Sequence, residues 1–95
     1  MANDYLIRRE LDEAITQEQL EEAVEASGAA LEELRDEGVD IEWVDSEVMT
    51  DEEGGILGTF CHYRAESESA VHEHGDRAGL PVTQVTQRGE PLGGE

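Results

Sequence analysis

The stretch "TFCHYRAESESAVHEHGDRAGLP" carries the chain's one cysteine, Cys61, and its three histidines, His62, His72 and His74. Thiolate and imidazole both suit nickel, copper, zinc or iron. Four such donors so close together raise the prospect of a metal centre. Whether they converge depends on the elements that carry them.

Those elements are legible from periodicity and punctuation. "DYLIRREL" (Asp4 to Leu11) reads as a strand. Leu20, Ala23, Val24, Ala30, Leu31 and Leu34 then recur at helical spacing, with acids on the opposite face. Thr16 is the expected N-cap, with Gln19 three positions on as in a capping box. Gly38 is the expected stop. Gly28 inside this helix costs about 1 kcal/mol against alanine and suggests close packing there. "DIEWVDSEVM" and "ILGTFCHYRA" read as a β-hairpin joined through "TDEEGG". "ESESAVHEHGDRAG" is a shorter helix that stops at Gly79 ahead of Pro81, and "PVTQVTQRG" a last strand. The order β-α-β-β-α-β predicts an α+β, ferredoxin-like domain, a four-stranded antiparallel sheet with both helices on one face. One domain is expected over 1–95, with an ordered core of about 4–88 and a frayed tail of 89–95.

Strand alternation sorts residues into two faces. Leu6, Val44, Ser46, Val48, Leu57, Thr59, Cys61, Tyr63 and Val85 are expected beneath the helices. Tyr5, Ile7, Arg9, Ile41, Trp43, Ile56, Phe60 and His62 are expected on the bare face. An aromatic and aliphatic face of that size is rare on a monomer. It predicts a homodimer packed sheet to sheet, with Trp43, His62, Arg9 and Phe60 at a ligand cleft or dimer face. A β-bulge would shift the parity.

The histidines divide accordingly. His74 shares the apolar side of its helix with Ala70, Val71 and Ala78, and so faces the sheet toward Cys61 and Tyr63. His72, about 200° round the helix, points outward near Glu68 and Asp76. Cys61 and His62 are adjacent on a strand and face opposite ways. At most two of the four donors converge. His74 is either a core-edge histidine bonded to Tyr63 or a backbone carbonyl, or a ligand or acid–base group. Cys61 is either a small buried hydrophobe or a ligand. No CxxC pair, HExxH or glycine-rich phosphate loop is present.

Composition bounds the setting. Twenty-five acidic residues face six arginines and no lysine, a net charge of −19. With periodic apolar residues this is a folded protein, of a kind suited to cytoplasm near molar salt. At ~1 M ionic strength the Debye length is ~3 Å, so self-repulsion is screened. A field this negative argues against nucleic acid or an anionic membrane as partner. One cysteine gives no internal disulfide, and no leader or membrane-length apolar run is seen, so a soluble cytoplasmic protein is expected.

"YLIRREL", "EGVDIEWVDSEV", "TFCHYRAESESAV" and "RAGLPVTQVT" together resemble a family of small bacterial and archaeal proteins, many of them labelled nickel-binding protein. The matching features are the Trp43–Ser46–Val48 spacing, Cys61 with Tyr63, His74, and Gly79 followed by Pro81, over Asp4 to Arg88. The resemblance implies a dimeric α/β barrel that binds nickel or another divalent transition metal. The residues in question would be His74, Cys61 and Tyr63, with no organic cofactor and no catalytic residue. Two other functions stay open: a small-molecule ligand or monooxygenase-like chemistry in the cavity between helices and sheet, and a structural dimer with no ligand.

Overall fold

The structure, a computed structural model, describes residues 2–94. The elements come in the expected order: β1 (Asn3–Ile15), α1 (Gln17–Asp36), β2 (Ile41–Thr50), β3 (Ile56–Ala65), α2 (Glu68–Ala78) and β4 (Gln84–Gln87). The sheet runs β2-β3-β1-β4 with every neighbouring pair antiparallel. This is the ferredoxin-like arrangement. β1 is longer than its apolar run suggested, and β4 is shorter.

Local chemistry fixes the helix ends. Thr16 caps α1, its hydroxyl accepting from the Gln19 backbone while the Gln19 side chain accepts from the Thr16 N–H. The helix ends ahead of Gly38, which takes the left-handed φ of 88° that glycine alone adopts freely. Ser67 caps α2 through the Ala70 N–H, and Gly79 closes it at φ 71°. Gly28 departs from expectation. A Cβ built there meets nothing within 4 Å, so close packing does not explain it. Arg77 of α2 ties the two helices together through Glu33 of α1 and Glu37, the residue that caps its C-terminus.

Which residues lie under the helices differs from the parity assignment for β1 and β2. Tyr5 pairs with Tyr63, Ile7 with Cys61 and Val85, and Arg9 with Thr59. Residues directly opposite in an antiparallel ladder share a face. Tyr5, Ile7 and Arg9 therefore lie on the inner face with Cys61 and Tyr63, and all three are buried. Leu6 is turned out, 45% exposed. Alternation orders residues within a strand, but only the register relates one strand to the next.

In β2 the register slips between Trp43 and Asp45, so Val44 bulges. Ile41 and Trp43 then share the inner face with Ser46 and Val48. Ile56 is buried as well, and Leu57 is exposed. Those two residues open β3 on the faces opposite to the ones expected; farther along the strand the expectation holds, with Thr59, Cys61 and Tyr63 pointing in and Phe60 and His62 out. The outer face is thus largely charged, with Asp4, Arg8, Glu42, Glu47 and Arg64 around Leu6 and Phe60. The core joins Tyr5, Ile7, Ile41, Cys61, Tyr63 and Ala65 to Leu31 and Leu34 of α1 and Ala70 and Val71 of α2. No helix among the described residues is long and apolar enough to cross a membrane.

Ile7 has no exposed surface, so Ile7→Ala should cost about 2–5 kcal/mol in a urea titration. Gly28→Ala, which adds a methyl group in open space, should gain about 1 kcal/mol in the same titration. A neutral Ile7→Ala would contradict the inner-face assignment.

Candidate functional site

The inner face and α1 bound an open cavity of about 250 Å³, with Val24, Trp43 and Val48 of its walls half-exposed at its mouth. Its walls are mostly apolar, with Ile15, Leu20, Val24, Trp43, Val48 and Leu80. Polar groups reach it from Arg9, Ser27, Ser46, Thr59, Cys61 and Tyr63. The Val44 bulge brings Trp43 and Ser46 to the same side, where the indole Nε1–H donates to Ser46 Oγ at 2.8 Å.

Beside the cavity lies a buried polar cluster. Ser27 sits on α1 in line with Ala30, Leu31 and Leu34, at helical spacing on the buried stripe. Its Oγ lies 3.2 Å from Tyr63 Oη and 3.1 Å from His74 Nε2. His74 Nε2 is also 3.2 Å from the Ser27 carbonyl oxygen. A carbonyl only accepts, so Nε2 carries the proton and donates. Nδ1 is then the bare lone pair, buried and without a partner. The His74 and Tyr63 ring centroids are 5.1 Å apart.

Arg9 completes the cluster. It is only 4% exposed. Its guanidinium carbon stands 5.8 Å from the Tyr63 ring centroid, and its Nη1 donates to the Pro81 carbonyl at 2.9 Å. Gly75 packs beside it and against Val82. A Cβ there would meet Val82 Cγ2 at 2.6 Å and Arg9 Nη1 at 3.5 Å.

Burial pushes the His74 pKa below its usual value, and the Arg9 charge acts in the same direction. His74 is neutral at neutral pH. Burial likewise pushes the Tyr63 phenol up, so it stays protonated. Cys61 is a buried free thiol whose Sγ lies 3.3 Å from Thr59 Oγ1.

The sequence-derived site residues therefore divide between two faces. His74, Cys61, Tyr63, Arg9 and Trp43 all lie on the inner side, and four of them line the cavity. His74 stands outside the lining. His62 and Phe60 lie on the outer face, where His62 Nε2 is 2.8 Å from Asp4 Oδ1. That hydrogen bond, with Arg64 nearby, holds the Asp4 carboxyl below the usual carboxylate range. His72 is exposed and 3.3 Å from Glu68 Oε2. Ser27 was missed, although a serine on an apolar stripe was the available signal.

A family model described as nickel responsive protein SCO4226-like matches residues 5–87. The chain belongs to that family. Among solved structures, the crystal structure of SCO4226 from Streptomyces coelicolor A3(2) superposes with a TM-score of 0.66 at 20% identity. The match covers 96% of this chain and 99% of that one, and at this identity it speaks for the fold. No curated protein matches the sequence.

The described residues of the chain do not by themselves complete a nickel site. Among the described residues no three His, Cys, Asp or Glu side chains come together to hold an ion. Arg9 also sets a positive charge beside Tyr63, which opposes a divalent cation there. In favour of a metal stands the unpartnered, deprotonated Nδ1 of His74.

A His with a depressed folded pKa contributes stability above its unfolded pKa, and that stability is lost as pH falls. The unfolded value is 6.5. Unfolding free energy should thus begin to fall as pH drops below about 6.5, ahead of the carboxylates. In His74→Gln that segment of the profile should flatten. An unchanged profile in the variant would refute the assignment of a neutral, buried His74.

Proposed function

We propose that the chain is a binding protein whose site is the cavity between the helices and the sheet, occupied by a small, largely apolar organic molecule. The observation that carries this reading is the cavity of about 250 Å³ itself, walled by apolar side chains with a few polar groups at one set of positions. That combination is typical of small-molecule sites, and the volume is below the ~300–1,000 Å³ of larger ligands. Binding is favoured over turnover because the histidines available for acid–base work stand off the cavity. Nε2 of His74 is engaged by Ser27, and His62 faces the other way.

Trp43 is the one tryptophan of the chain and lines this cavity, so it reports directly on occupancy. Benzyl alcohol, an uncharged aromatic probe, should shift Trp43 emission saturably. Val24→Phe, which adds bulk to the wall, should weaken that response at least tenfold. A linear, unsaturable response in both proteins would remove the cavity from consideration.

A second reading is nickel binding by a homodimer, favoured by the family's nickel-responsive description and by the free Nδ1 of His74. The dimer is supported by Leu6 and Phe60, diagonal neighbours on the outer face with 45% and 49% exposure. In this reading a second copy supplies the donors that one protomer lacks, in a cytoplasm near molar salt. Calorimetry with Ni²⁺ in about 2 M KCl suppresses casual binding to the carboxylate surface. Saturation near one ion per protomer is expected, lost in His74→Ala and kept in His72→Ala, on a species sedimenting at twice 10.5 kDa. Flat heats, or equal loss in both variants, would end this reading.

A further inference from the structure

Arg9 is placed unlike the chain's ion-paired arginines. Arg8 pairs with Glu10, Arg64 with Asp4 and Glu42, and Arg77 with Glu33, Glu37 and Glu73. These are surface pairs at the edge of water. Arg9 is buried beneath the helices, and among the described residues no carboxylate lies within ion-pairing distance of it. Only Nη1 is engaged, by the Pro81 carbonyl. Nε and Nη2 are buried with no acceptor. Leaving a buried cation without a counter-charge is strongly unfavourable. In a chain with 25 acidic residues the missing partner is not for want of carboxylates.

The two idle nitrogens have a definite geometry. Nε and Nη2 form one side edge of the guanidinium, each presenting an N–H in the same direction. That edge is the fork to which a carboxylate binds with two parallel hydrogen bonds. Arg9 lines the cavity together with Tyr63, whose protonated phenol lies beneath the guanidinium, and Ser27 stands next to Tyr63. Both are further donors for an anion. Beyond these polar groups the walls are apolar, from Leu20 and Val24 to Trp43 and Val48.

We infer that the cavity is built for a small organic monocarboxylate with an apolar body, the carboxylate held by the Nε–Nη2 edge of Arg9 and by Tyr63. This rests on the cavity being the binding site, as proposed above, and adds the charge and head group of its occupant. The Arg9 edge is buried, so a carboxylate that binds it must displace neighbouring side chains. The ligand then supplies the counter-charge that the protein lacks. The strongly negative surface is no bar to such an acid at molar salt, where charges separated by more than ~3 Å are screened.

The test compares acids with their uncharged isosteres in the intact protein: benzoate against benzamide, and hexanoate against hexanamide, each followed by Trp43 emission. The acids should bind about ten- to a hundredfold more tightly than the amides, the range expected for a charge-assisted bidentate contact. Arg9→Met, an apolar replacement of similar length, should bind acid and amide alike, with circular dichroism checking its fold. The comparison in the unaltered protein stands even if that variant does not fold. Equal binding of acid and amide to the unaltered protein would overturn the carboxylate inference and leave the cavity as a site for neutral molecules. Saturable binding by none of the four would overturn the cavity reading and this inference with it.

Discussion

A single buried cation organises this domain. Arg9 enters the interior from the central strand β1, and each neighbour is adjusted to it. Gly75, beside the guanidinium, leaves out the side chain that would otherwise press on Val82. The chain after α2 turns back so that the Pro81 carbonyl accepts from Nη1. The Tyr63 ring offers its negative face below. His74, close by, is held neutral by burial and by that same positive charge, and so hydrogen-bonds through Nε2–H to Ser27. Two positive charges in this small interior would repel one another with little water to screen them. With Arg9, glycine, carbonyl, phenol and neutral imidazole form one consistent set.

The helix ends at Thr16, Gly38 and Gly79 were legible because their causes are local. Thr16 with Gln19, Gly38 and Gly79 act within a few residues of where they stand, and each behaves as its chemistry dictates. The order of elements then leads to the fold through general rules of connection. The faces were less legible. Tyr5, Ile7 and Arg9 alternate correctly among themselves, but their placement needs the pairing of Ile7 with Cys61, a long-range fact. In β2 a single bulged residue, Val44, moves Trp43 onto the side of Ser46 and Val48. Bulges carry no dependable sequence mark. The full lining of the cavity was out of reach for the same reason, since it is assembled from β1, α1, β2, β3 and the segment after α2.

Charge is partitioned as sharply as hydrophobicity. The carboxylates stand on the surface, and the arginines there serve to tie neighbouring segments together. Arg77 spans from α2 to Glu33 of α1 and to Glu37 at its C-terminal cap, and Arg64 reaches Asp4 and Glu42 on the strands either side of β3. Such exposed pairs contribute little individually. In a chain with no lysine they are nevertheless the cross-links available against a surplus of negative charge. Arginine suits that role through its planar fork, which engages two carboxylates at once.

The His-rich stretch that first suggested a metal centre is resolved by geometry into separate tasks. His62 hydrogen-bonds Asp4 on the outer face, His72 stands in water beside Glu68, and His74 is sealed in the core against Ser27 and Tyr63. Their closeness along the chain arises because a strand and a helix follow one another there, each sending successive residues in different directions. Family membership brings nickel into consideration, yet the interior of one protomer is tuned the other way. A cation is already resident, and the groups around it are neutral donors: a phenol, a serine hydroxyl, an imidazole N–H. Donors gathered about a fixed positive charge stabilise an anion. The electrostatics of the inner face are therefore suited to a negatively charged guest rather than to a metal ion beneath the helices.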